Sequence, residues 1–251
     1  MTDLTEFDVA VATADGTMPT FVARPTGSGP WPVLILYMDA PGIREELRDF
    51  TRRFAREGYY AMLPDMYYRL GHIRFNLAKR TENMTTMVHA ARTSLTNAGV
   101  MNDTRGLLAA AAADRAASDG PLGCVGYCMS GAYAVTAAAT FPDRMAAAVS
   151  QYGVEIVSAA PDSPHLLVDR IKGELYLAFA EHDEWVPPHV VPTLTRALDD
   201  AGASYNLKTY AGTHHDFSFP QRPAYSRDAA EAMWQIMFDL YARKLKGGAA
   251  A

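Results

Sequence analysis

Apolar and polar residues alternate from Glu6 to Arg24 on either side of Ala14-Asp15-Gly16, and an Asp-Gly pair between two alternating runs predicts an antiparallel hairpin. Trp31 to Tyr37 (WPVLILY) breaks this alternation with a continuous apolar run, the pattern of a strand covered on both faces by helices. From Glu45 to Glu57 the period becomes helical, with Leu47, Phe50 and Phe54 on one face and Gly58 as the stop signal. Tyr59 to Leu63 returns as a strand that ends at Pro64. Phe75 to Ala117 predicts helix with a break near Asn97-Ala98-Gly99, its run from Ala109 to Ala117 having high intrinsic helix propensity. Beyond it, Leu122–Gly126, Ala146–Tyr152, Leu175–Ala180 and Tyr205–Tyr210 read as strands, and Gly131–Phe141 and Pro188–Ala201 as helices. Ser158 to Pro164 is irregular. A closing helix from Ala224 to Leu245 carries Met233, Met237, Leu240 and Tyr241 on one face.

Strands alternating with helices predict an α/β fold: a mostly parallel central sheet, helices on both faces, and an antiparallel N-terminal edge. Active sites of such sheets lie beyond the carboxyl ends of the strands. Residues 1–251 show no repeat and no long linker, so a single domain is expected.

Charge narrows the partners. The chain has 23 basic and 28 acidic side chains, a net charge of -5, and no positive run suited to a phosphate backbone, so nucleic acid is not an expected partner. The acidic opening MTDLTEFDVA lacks the apolar core of a secretion signal, and no later run reaches the ~18 apolar residues of a membrane span. A cytoplasmic protein is the expectation, without a membrane partner. The two cysteines, Cys124 and Cys128, would lie roughly 13 Å apart on one extended strand, too far for a disulfide. With no further ligand cluster near them, no metal is expected.

The chemistry concentrates at Gly126-Tyr127-Cys128-Met129-Ser130-Gly131, where a thiol and a hydroxyl stand two residues apart. A nucleophile elbow is a sharp strand-to-helix turn whose tip residue is strained, and the positions two before and two after the tip must be small. Gly126 and Ser130 satisfy this for Cys128. Cys128 and Ala132 would satisfy it for Ser130, so spacing alone leaves the hydroxyl open, although the glycine is placed for the thiol. The partners a nucleophile needs, a histidine base and an acid to orient it, lie downstream at predicted strand ends. Glu181 to Pro187 supplies the acids and Tyr210 to Phe217 supplies His214 and His215.

Taken together, PGIRE, GYYAMLPDMYYR, the GYC elbow, HDEWVP and YAGTHHDF resemble the dienelactone hydrolase family, a cysteine-dependent branch of the α/β-hydrolases. The resemblance implies an α/β-hydrolase fold with Cys128 as nucleophile, Asp183 as acid and His215 as base, the histidine two before the aromatic matched by Phe217. It also implies a carboxylate that manages the thiol proton, with Asp39 standing where relatives carry glutamate. The implied oxyanion hole is the backbone N–H groups of Met129 and Ala40. Relatives that cleave dienelactone hold its carboxylate with an arginine shortly after the histidine, whereas Phe217, Ser218 and Phe219 stand here. Phe219 therefore suggests an apolar subsite. Tyr68, Tyr152 and Trp185 are further candidates for lining it, and Arg69 and Arg74 are candidate anion contacts.

The function implied is hydrolysis of a small ester or lactone through an acyl-enzyme, without a cofactor, by a monomer or homodimer. A scaffold that only binds or regulates is the competing class.

Overall fold

In the computed structural model, which describes residues 2–247, the first two alternating runs form β1 (Leu4–Thr13) and β2 (Gly16–Pro25). They pair antiparallel from Leu4↔Pro25 to Thr13↔Gly16, and Gly16 takes a positive φ of 135°. β3 (Val33–Tyr37) and β4 (Tyr60–Pro64) are buried along their whole length, as continuous apolar runs require. β4 pairs parallel with β3 and antiparallel with β2, giving the local order β1-β2-β4-β3. Between β3 and β4 lies α1 (Glu45–Arg56), which buries Leu47, Phe50 and Phe54 against β2 and β4. Its first turn is acidic (Glu45, Glu46) and its last basic (Arg53, Arg56), the arrangement that complements the helix dipole.

The long central helix divides differently from the expectation. α2 (Glu82–Thr93) and α3 (Asn97–Ala113) are separated just upstream of Asn97, because Thr96 turns extended and its hydroxyl accepts the Gly99 N–H. Thr81 caps α2 in the same way through Met84, so the segment from Phe75 to Thr81 stays outside that helix. The alanine run ends at Ala113, where the Asp114 carboxylate accepts both the Ala116 N–H and the Tyr60 hydroxyl. Local capping overrides alanine propensity at both ends.

Residues up to Asp119 make one compact unit; Gly120 onward makes a second. In the second, β5 (Leu122–Tyr127), α4 (Met129–Thr140), β6 (Met145–Gln151), β7 (Glu174–His182), α5 (Val190–Asp200), β8 (Tyr205–His214) and α6 (Arg227–Leu245) follow in order. The strands are all parallel in the order β5-β6-β7-β8. α6 packs on β5 and β6, burying Met233, Met237, Leu240 and Tyr241, each worth about 1.5–3 kcal/mol for a full side chain. The contact at β5 is close: a Cβ on Gly123 would stand 2.8 Å from the Tyr241 ring, and the Tyr241 hydroxyl donates to Cys124 O at 2.7 Å. β7 and β8 run past their predicted ends at Ala180 and Tyr210 to His182 and His214, which pair with each other after a register shift beyond Ala180. This extension carries both downstream motifs to the same end of the sheet.

Candidate active site

Cys128 stands between β5 and α4 with φ 54° and ψ -119°, a conformation that costs on the order of 1–3 kcal/mol for a residue with a side chain. Its surroundings hold it there. The Cys128 N–H donates to Gln151 O at 3.1 Å, and its carbonyl accepts from the N–H groups of Gly131 and Val154, both at 3.1 Å. Gly126 is needed for space: an added Cβ would lie 1.9 Å from Ser130 O. On the other side of the turn, a Cβ on Gly131 would lie 2.4 Å from both Gly153 Cα and Ser150 Oγ.

The thiol and the hydroxyl differ in what each group touches. Ser130 is fully buried; its Oγ accepts the Tyr127 N–H at 2.8 Å and donates to Tyr127 O at 3.0 Å. It therefore clamps the turn. Cys128 is partly exposed, at the start of α4, where the helix end carries partial positive charge. Cys124 is completely buried, and burial pushes its thiol pKa far up. Iodoacetamide should accordingly modify Cys128 well before Cys124, as read by peptide mapping over a time course. Equal or inverted labelling would contradict this exposure.

Beyond β8, His215 donates from Nδ1 to Asp183 Oδ2 at 2.8 Å, and the two side chains are only 12% and 3% exposed. Asp183 is itself oriented by the Trp185 N–H, 3.0 Å from Oδ1. Of the two histidines that the sequence left open, His214 instead lies beside His182, ring centroids 5.1 Å apart. Burial of the His215 ring, the largest single influence, pulls its pKa down. The Asp183 hydrogen bond, then Cys128 and the nearby Asp216, outweigh it in sum and push the value up to about 10. Nε2, the nitrogen left for chemistry, is buried and makes no complete hydrogen bond, so the Cys128 contact is looser than the Asp183 one. Such contacts often tighten only when substrate is bound.

The supporting shell was not legible in the sequence. Tyr152, fully buried and with φ 38°, sets its ring edge-on to His215 at 4.9 Å and to Phe217 at 5.3 Å. The Ser218 hydroxyl donates to the Gln151 side chain, so the end of β6 holds the elbow through its backbone and the histidine loop through its side chain. Trp185, 45% exposed, lies 6.5 Å from His215 and shares with it an open cleft of about 560 Å³ bordered by 182–185 and 214–216.

Several expected lining residues are placed otherwise. Tyr152 and Phe219 are completely buried, the latter 5.2 Å from Tyr127, and both serve as packing beneath the histidine loop. Among residues of the first unit, Tyr68 commits its hydroxyl to Thr13 and Asp103. Arg69 is held by Asp103 and Asp15, and Arg74 by Asp65, so both candidate anion contacts already neutralise carboxylates. Asp39, expected to manage the thiol proton, is buried just beyond β3 and bound through both oxygens by Arg44, Nη2 to Oδ2 at 3.0 Å. The Ala40 carbonyl accepts the Tyr67 hydroxyl at 2.7 Å. Among the described residues, no group of three or more His, Cys, Asp or Glu is placed to hold a metal ion, and no helix is long and apolar enough to cross a membrane.

Comparison with known proteins follows the same lines. The sequence profile of the "Dienelactone hydrolase family" matches residues 18–245. A protein of Escherichia coli (strain K12) named "Putative carboxymethylenebutenolidase" is 30% identical over 229 residues, covering 89% of this chain and 82% of that one. A Bradyrhizobium protein named "Probable 2-oxo-3-(5-oxofuran-2-ylidene)propanoate lactonase" is 25% identical over 236 residues, covering 90% and 89%. The crystal structure of a "Putative Dienelactone Hydrolase" from Klebsiella pneumoniae superposes with a TM-score of 0.85 at 25% identity, covering 96% of this chain and 99% of that one.

Proposed function

Since the chain belongs to the dienelactone hydrolase family and has the α/β-hydrolase fold of a lactone or ester hydrolase, we propose that it works through Cys128, His215 and Asp183 by way of an acyl-enzyme. One observation supports this reading: the histidine hydrogen-bonded to a buried carboxylate at 2.8 Å has as a neighbour the cysteine that sits strained at a strand-to-helix tip. The thiol proton passes to His215 Nε2, and the sulfur forms a bond to the carbonyl carbon as the carbonyl electron pair moves onto oxygen. The Met129 N–H, at the head of α4, is a donor for that oxyanion. When the tetrahedral species collapses, the carbon–oxygen bond to the alcohol breaks and His215 returns the proton to the departing oxygen. Water, deprotonated by the same imidazole, then cleaves the thioester. In a lactone the departing alcohol stays tethered to the acyl group, so one product is released. Residues 1–251 are read as one α/β-hydrolase domain, which the family match across both units supports.

The test is a panel of short-chain aryl esters and unsaturated lactones, assayed with the native protein and with Cys128→Ala. At least one member should be turned over, the substitution should abolish that turnover, and intact-mass measurement on a slow ester should show an acyl adduct on Cys128. Turnover that survives Cys128→Ala would overturn the mechanism. No turnover of any member would favour a binding role for the scaffold.

A further inference from the structure

Asp216 is the residue after the base, and its backbone has φ 69°, a conformation that aspartate tolerates better than most residues with a side chain. This places its carboxylate on the working side of the imidazole: Oδ1 is 3.8 Å from His215 Nε2, beyond a hydrogen bond but well within charge interaction. The side chain is 25% exposed and borders the cleft. Among the described residues around that cleft, Asp183, Glu184 and Asp216 carry negative charge, and no lysine or arginine is present. Asp183 is spent on His215, whereas Glu184 is exposed to solvent. Arg222, Nε 3.7 Å from Oδ2 and only 7% exposed, offsets part of the Asp216 charge but does not border the cleft. The exposed indole of Trp185 completes the wall, and a tryptophan face beside carboxylates is a surface suited to an alkylammonium group.

We propose that Asp216 sets the charge preference of this site, favouring esters whose acyl chain carries an alkylammonium group over neutral ones, and disfavouring those that carry a carboxylate. The inference rests on the catalytic reading above and adds the substrate class. The lack of an arginine among the residues that border the cleft explains only why an anion gains nothing; a carboxylate beside Nε2 makes it actively unwelcome and adds to the attraction of a cation.

The experiment compares kcat/KM for three matched aryl esters, of a butyrate, a 4-trimethylammonio-butyrate and a hemisuccinate, in the native protein, Asp216→Asn and Asp216→Gly. Both replacements tolerate positive φ, and the ratio between substrates within each variant cancels any general loss of activity or of folded protein. The native order should be cation, neutral, anion. Removing the charge should shift the cation-to-anion ratio toward the anion by about tenfold, the factor expected of one charge several ångströms away at a partly exposed site. The shift should be similar in both variants and should shrink at high salt. An unchanged ratio in both variants, or a native preference for the hemisuccinate, overturns the inference while leaving the cysteine mechanism standing. Failure of the native protein to hydrolyse any of the three, or activity that persists in Cys128→Ala, overturns the mechanism and this inference with it.

Discussion

Cys128→Ser is expected to keep the native fold and to lose on the order of a thousandfold in kcat on any ester the native protein hydrolyses. Sulfur and oxygen differ little in the space they need at the tip, and the backbone bonds from Gly131, Val154 and to Gln151 do not involve the side chain. The chemistry differs greatly. His215 is pushed up to about 10, against the pull of burial, first by the Asp183 hydrogen bond and then by Cys128 and Asp216, so its imidazole is suited to hold the proton that a sulfur nucleophile gives up. An alcohol stays neutral there and must be deprotonated during attack, a harder task for the same base. The variant should therefore also lower the His215 pKa, which NMR titration of the ring would show. Ser130→Ala is the control: it should retain the nucleophile and lose about 1–3 kcal/mol of stability, because the buried Tyr127 N–H is left without its acceptor. A fully active Cys128→Ser beside an inactive, folded Ser130→Ala would reverse the assignment.

Gly126→Ala should destabilise by about 3 kcal/mol or more, at or above the upper end for forcing atoms into a filled interior. The reason is space, since Gly126 does not have a positive φ, and the added methyl would meet backbone on the far side of the turn, 1.9 Å from Ser130 O and 2.4 Å from Ser130 C. Backbone held by the first turn of α4 cannot rotate away as a flexible side chain could. The loss should appear as a fall in thermal midpoint of about 6 °C or more for a chain of this size. Activity per folded molecule should fall too, because relief requires the Cys128 tip to move. Gly202→Ala offers the contrast: no atom lies within 4 Å of the added carbon, and only the cost of its φ of 62° applies. A neutral Gly126→Ala would mean that the turn yields more easily than its contacts imply.

Period and punctuation in the sequence were enough for the order of strands and helices, the antiparallel hairpin and the buried character of β3. These depend on local sterics and on how much apolar surface each segment must hide. They were insufficient where a side chain competes with propensity, as at Thr96 and Asp114, which set the limits of α3 within its alanine-rich run. Resemblance supplied the roles proposed for Cys128, Asp183 and His215. What it could not resolve were choices between adjacent groups: His214 or His215, Cys128 or Ser130.

Those choices belong to tertiary structure, because they turn on distances between segments far apart in the chain. His215 reaches Asp183 across 32 positions and the Ser218 hydroxyl reaches Gln151 across 67, so no local pattern could record either contact. Burial did the rest. It turned Tyr152 and Phe219 from expected substrate contacts into the packing around the His215 loop, and left Asp216, which no motif singled out, beside His215 Nε2. The sequence by itself determined which residues could do chemistry and roughly where the chain would turn to present them. Only the folded chain decided which of those side chains meet, which are already paired, and which face the cleft, since these follow from packing between distant segments and not from the identity of any one residue.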